Sequence, residues 1–150
     1  LKAKIRFFRQ AQSSYVDALN VRSPYWATAA GLRLGELYER FYDDVLGAEV
    51  PKEFNNDTKK YYLLELKAQL QPVLTQSVTI YERNLAMSLR LGTDNEWTQE
   101  TERRLNKLRA LIIENKRAAA EARVTTPHPK KQNKMKRPKK RSRMKKPGSK

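Results

Sequence analysis

Chemistry in a folded chain requires reactive side chains held a few ångströms apart, and this sequence offers few sets of them. Carboxylates gather in three places: Asp43-Asp44, Glu36 with Glu39 and Arg40, and Glu100 with Arg103 and Arg104. Two neighbouring carboxylates suit general acid–base work. In the second and third sets, however, opposite charges stand three and four residues apart, the spacing of ion pairs along a helix surface. Those sets read as solvated helix faces. No nucleophile stands beside a base, no Gly-rich phosphate loop occurs, and no ligands fall at metal-site spacing. Cysteine is absent and the single histidine, His128, lies between Pro127 and Pro129. Disulfides, thiol chemistry and Cys-ligated metals are therefore excluded, and neither a cofactor nor a metal is expected. The reading is of a protein that is not an enzyme.

Charge is the sharper feature. The 150 residues carry a net charge of +16, with 32 Lys and Arg against 16 Asp and Glu. Every acid lies within residues 1–123, whereas residues 124–150 hold twelve of the bases and four of the seven prolines. That tail has no aromatic residue and too few apolar side chains to offset the entropy of ordering it. It reads as a disordered basic arm on a mildly basic folded body, 1–123. Lys130, Lys131, Lys134, Lys136, Arg137, Lys139, Lys140, Arg141, Arg143, Lys145 and Lys146 place positive charge at nearly every other position. Such a segment binds polyanions without sequence preference: nucleic-acid phosphates, anionic lipid or an acidic cell-wall polymer. With no aromatic residue interleaved, base stacking is not supported. No apolar run approaches the ~20 residues of a bilayer crossing, so no transmembrane segment is expected.

The elements that must position these groups are helices, because apolar residues in 1–123 recur at steps of three and four. Ile5, Phe8, Ala11, Tyr15 and Leu19 make the first stripe, ending near Asn20. Ser23-Pro24 starts a second helix with Trp26, Ala30, Leu34, Leu37, Phe41 and Val45 on one face and Tyr38 and Tyr42 beside it. So wide a face implies packing on two sides. Gly47 and Val50-Pro51 end it. Asn55-Asn56-Asp57-Thr58 caps a third series: Leu63, Leu66, Leu70, Leu74, Val78, Tyr81, Leu85 and Leu89. Pro72 interrupts that series, leaving either two helices that meet there or one kinked helix; the unbroken phase favours one. Leu91-Gly92 closes it, and Thr93-Asp94-Asn95 leads into a last helix with Trp97, Thr101, Leu105, Leu108 and Ile112. The expected fold is all-α, antiparallel helical hairpins joined by short connections. Leu1 begins a helix without a cap, as if the segment continued an upstream array.

Leu34-Gly35-Glu36-Leu37-Tyr38 reproduces the Leu-Gly-x-x-Tyr of a tetratricopeptide repeat's first helix, and Ala11, Tyr15, Ala18 and Leu19 resemble its second. In physical terms, Gly35 lets a neighbouring helix approach closely while Leu34 and Tyr38 fill the space beside it. Arg22-Ser23-Pro24-Tyr25-Trp26-Ala27 and Tyr81-Glu82-Arg83-Asn84-Leu85 also resemble the C-terminal part of large deltaproteobacterial tetratricopeptide proteins, some linked to gliding motility and outer-membrane assemblies. The resemblance covers roughly 1–113 and implies a short, degenerate helical solenoid. It also implies a non-catalytic scaffold on the periplasmic side of the cell envelope, joined to protein partners and to further repeats of its own chain. It casts Ala11, Tyr15, Trp26, Leu34, Gly35, Tyr38, Tyr81 and Trp97 as repeat-packing residues. Tyr61 and Tyr62 are adjacent and cannot both face inward, so one of them is the candidate partner contact. The other class of function compatible with the residues is a nucleic-acid-binding protein, its arm supplying affinity and its helices oligomerising it.

Overall fold

The computed structural model describes residues 2–20, 23–50 and 53–125, the last three by backbone alone. Four helices follow in order: α1 (Lys2–Leu19), α2 (Pro24–Leu46), α3 (Asn56–Leu91) and α4 (Glu96–Thr125). No strand occurs among the described residues, so the all-α expectation holds. The boundary expected at 123 falls two residues short of the end of α4. The eleven basic tail positions and His128 lie outside the described residues.

Local chemistry sets the helix ends. Pro24 occupies the first turn of α2, where its missing N–H costs nothing, and Ser23 accepts the first backbone bond from Ala27 at 2.9 Å. The Asn55 side chain caps α3 by accepting from the Thr58 N–H at 2.8 Å. Asn95 caps α4, accepting from Trp97 and Thr98 N–H, while Thr98 Oγ1 reaches back to the Asn95 N–H at 3.0 Å. Gly92 ends α3 in the left-handed conformation (φ 61°), which glycine adopts without strain. Gly47, expected to close α2 in the same way, stays right-handed at φ −78° and is bonded to Asp43 O.

α3 runs unbroken for 36 residues with Pro72 inside it. A mid-helix proline costs about 3 kcal/mol, so the helix persists because packing overrides the break. Every buried residue of α3 lies after Pro72: Leu74, Ser77, Tyr81, Asn84 and Ser88. That stripe keeps Leu74 and Tyr81 of the one expected from apolar identity, with Leu70, Val78 and Leu85 packed against the core, and corrects it at its end. Leu89, expected inside, is 84% exposed, and three polar residues take the core face instead.

α2 is the spine of the fold. It packs against α1, α3 and α4; α3 also packs on α4, and α1 packs on α2 alone. The core of Leu32, Tyr42, Leu74, Tyr81, Leu105 and Leu108 belongs entirely to α2, α3 and α4. α1 buries no residue. It is held by Phe8, whose ring meets Tyr38 edge-on at 5.0 Å and Phe41 at 4.9 Å, and by Gln12, which donates to the Tyr38 hydroxyl at 2.8 Å.

Candidate functional site

Two features of the body combine unusual chemistry with an accessible face, and they adjoin along α2, sharing Gly31 and Asn84. The first grows from Gly35. A Cβ built there would fall 2.6 Å from Cδ1 and Cζ of Tyr81, and closer still to Cε1, so the ring rests directly on the α2 backbone. Ser77 Oγ donates to the Gly35 carbonyl at 2.9 Å and fixes the same crossing. One turn along, the Asn84 amide covers Gly31 and donates to Thr28 O and Thr101 Oγ1, both at 3.0 Å. These bonds are why polar residues sit on the buried stripe of α3: the Ser77 hydroxyl and the Asn84 amide nitrogen each donate to a neighbouring helix. Asn84 Oδ1, however, is buried without a partner among the described residues, and unsatisfied burial costs about 1–3 kcal/mol. Asn84 of α3 thus ties itself to α2 and α4.

From the Gly35 crossing, the Tyr81 hydroxyl reaches the Glu39 carboxylate. Burial first, and this bond second, push the Tyr81 phenol far above its ordinary range. Glu39 also lies 3.4 Å from Arg104, the hub of a charged cluster. Arg104 meets Glu36 at 3.0 Å and Glu100 at 2.8 Å, while Arg33 meets Glu36 at 2.7 Å and Arg103 meets Glu100 at 2.6 Å. The Glu36 side chain is only 5% exposed, so its reading as part of a solvated face is corrected. The spacing to Arg33 and Arg40 was visible in sequence; the partner on α4, 68 residues away, was not. Glu100 is held down to about 2, chiefly by its bond to Arg103 and further by Arg104. Each carboxylate of the cluster is committed to a guanidinium or a phenol, an arrangement that locks α2, α3 and α4 together and offers no spare acid or base.

The second feature is a groove of about 760 Å³ beside the Gly35 crossing, whose floor also takes in Gly31 and Asn84. Its floor includes Leu34 and Tyr38; one wall is Gln12, Val16 and Leu19 of α1, the other Ile80, Arg83, Met87 and Arg90 of α3. On each wall the residues recur at three and four, so both helices turn a stripe toward the gap. The backbones of α1 and α3 do not approach each other, which is why the channel stays open.

Only some of the residues expected to pack belong to these features. Leu34, Gly35 and Tyr81 are buried, and Tyr38 joins α2 to α1. Ala11 and Tyr15 line a notch of about 360 Å³ with Arg33, Glu36 and Leu37 of α2. Trp97 is partly covered, with Arg33 over its ring at 5.5 Å and Tyr25 edge-on at 6.1 Å. Trp26 is a correction: it is 60% exposed and touches Tyr25. Eight residues at 100° each place it about 80° round the helix from Leu34, on a side of the first turn that no helix among the described residues covers. Tyr61 and Tyr62 are both exposed and diverge. Tyr62 lies edge-on to Phe54 at 5.6 Å, and Tyr61 lines, with Leu64 of the same helix and Ala118 of α4, a hollow of about 610 Å³. No helix among the described residues is long and apolar enough to cross a membrane. Compared with protein-family models, curated protein sequences and solved structures, the chain matches none.

Proposed function

We propose that the chain is a non-catalytic interaction scaffold of tetratricopeptide-like helical hairpins, with a polybasic tail that tethers it to an anionic partner. The observation that carries the reading is the one-sided packing of α1, which buries no residue and rests on α2 alone. A helix so placed offers a face to another helix, from a protein partner or from repeats of the same chain. The Gly35–Tyr81 crossing supports a repeat-like hairpin, because it is the close approach that the Leu-Gly-x-x-Tyr pattern serves. The charged cluster supports a structural rather than a reactive role for its carboxylates. A place in the cell envelope belongs to the same proposal and rests on the family resemblance.

The tail is tested by titrating the intact chain with duplex DNA, single-stranded RNA and anionic vesicles from about 50 to about 500 mM salt. A full-length variant with the eleven tail bases from Lys130 to Lys146 changed to Gln is titrated alongside. The intact chain is expected to bind all three, with affinity for duplex falling by about 0.9 log unit per log unit of salt for each phosphate contacted. The variant is expected to lose about 100-fold or more at the lowest salt. Preference for one nucleic-acid sequence that survives high salt would instead favour a dedicated nucleic-acid-binding protein.

A further inference from the structure

The geometry points to the groove between α1 and α3 as the docking site for a partner's amphipathic helix that carries carboxylates beside its apolar edge. The inference rests on the scaffold reading and adds the chemistry of the partner.

Shape comes first. Two helices lie on α2 without their backbones approaching each other, and the channel between them has a mostly apolar floor, interrupted by Asn84, and two walls with helical periodicity. A helix laid in such a channel inserts side chains at i, i+3 or i+4, and i+7, which is how helix-in-groove recognition works. Met87 suits that use, since its unbranched, polarizable side chain adapts to the occupant. At the lip, Val16 and Leu89 are exposed, the latter nearly completely.

Charge then selects the occupant. Arg83 and Arg90 line the groove and no carboxylate does. Neither arginine has an ion pair among the described residues, whereas Arg33, Arg40, Arg103, Arg104, Arg109 and Arg117 are all paired. Seven residues apart, they stand about 10.5 Å from each other along one wall of α3. An occupant with carboxylates two turns apart matches them; the basic tail of the same chain would be repelled.

The probe is a synthetic amphipathic helical peptide of about four turns, with leucines at i, i+4 and i+7 and glutamates seven residues apart. It carries a photoreactive group, and a twin peptide has lysines for the glutamates. Binding to the intact chain and to the full-length tail-neutralised variant is measured by anisotropy, and crosslinks are mapped. The acidic peptide is expected to bind both proteins about tenfold or more tighter than its twin and to crosslink to α1 and α3. Arg83→Glu with Arg90→Glu is expected to reverse the order. Both side chains are exposed, so the fold should tolerate the change. Leu89→Ser, also at an exposed position, removes apolar contact without adding charge and is expected to weaken the acidic peptide by about 3- to 10-fold.

Equal binding of the two peptides, no reversal in the double variant, or crosslinks confined to residues 126–150 would each overturn the inference. Crosslinks on α4 or near Tyr61 would overturn it too, while leaving a scaffold that uses another face. Self-association of the chain that the double variant abolishes would replace the partner helix with a second copy.

Discussion

Gly35→Ala is expected to destabilise the fold by about 3 kcal/mol, although alanine is intrinsically the better helix former by about 1 kcal/mol. The added methyl would occupy space held by the Tyr81 ring, which is fully buried and has no free volume into which to turn. α2 and α3 would have to separate. That movement stretches the Ser77 bond to Gly35 O and the Tyr81 bond to Glu39, each contributing about 1 kcal/mol. Overpacking alone typically costs about 1–3 kcal/mol. Urea unfolding followed by circular dichroism measures the effect, with Gly47→Ala as the control. Gly47 is right-handed and its added methyl would meet only Asp43 O at 3.2 Å, so that change is expected to be close to neutral. Combining Gly35→Ala with Tyr81→Leu is expected to cost clearly less than the sum of the single changes, because the two residues share one contact. A neutral Gly35→Ala would mean that the helices do not cross this closely.

Arg104→Met should lower stability by about 2–3 kcal/mol. It keeps the volume of the side chain and removes the charge that Glu36, Glu39 and Glu100 converge on. Stripping a buried carboxylate of its only partner costs about 3–5 kcal/mol, and here Arg33 stays beside Glu36 to soften the loss. Arg103→Met is expected to change stability far less, because Arg103 is largely exposed and its pairing is screened by solvent. The same unfolding experiment across pH tests the cluster from the other side. An acid held below its ordinary value of 4.5 stabilises the fold above that pH, and the contribution disappears as pH falls toward about 2. Glu100 is about one-third exposed, and screening reduces its contribution to about 1 kcal/mol. Between those pH values the unmodified chain is expected to lose about 1 kcal/mol more than Glu100→Gln does.

Helix ends were legible in the sequence because they depend on neighbours in the chain. Ser23-Pro24, Asn55, Gly92 and Asn95 stand where α2, α3 and α4 begin or end. Gly35 was legible too, as a small residue at a crossing, though the ring that covers it was not. The buried face of α3 was legible in part, since Leu74 and Tyr81 are buried and Leu70, Val78 and Leu85 pack on the core. Its polar members were not, because burial follows the satisfaction of polar groups as well as hydrophobicity. Ser77, Asn84 and Ser88 go inside since Gly35, Thr28, Thr101 and Thr93 accept their bonds, and Leu89 is left out. Glu36 looked like a surface residue because its local pairs, Arg33 and Arg40, have surface spacing; Arg104 reaches it only in three dimensions. The groove had no local signature at all. Its walls lie more than 60 residues apart, and it exists because α1 and α3 share a neighbour without their backbones approaching each other.

The central claim is a division of labour, in which the helical body makes shaped contact with a partner while the tail alone meets polyanions. Backbone amide shifts of the intact 17.5 kDa chain, recorded on adding duplex DNA and separately the acidic helical peptide, test it most directly. The account predicts that DNA moves only resonances beyond about residue 123, and that the peptide moves those of α1 and α3 around Val16, Ile80 and Met87. DNA-induced shifts concentrated in the helices, with the tail unaffected, would contradict it.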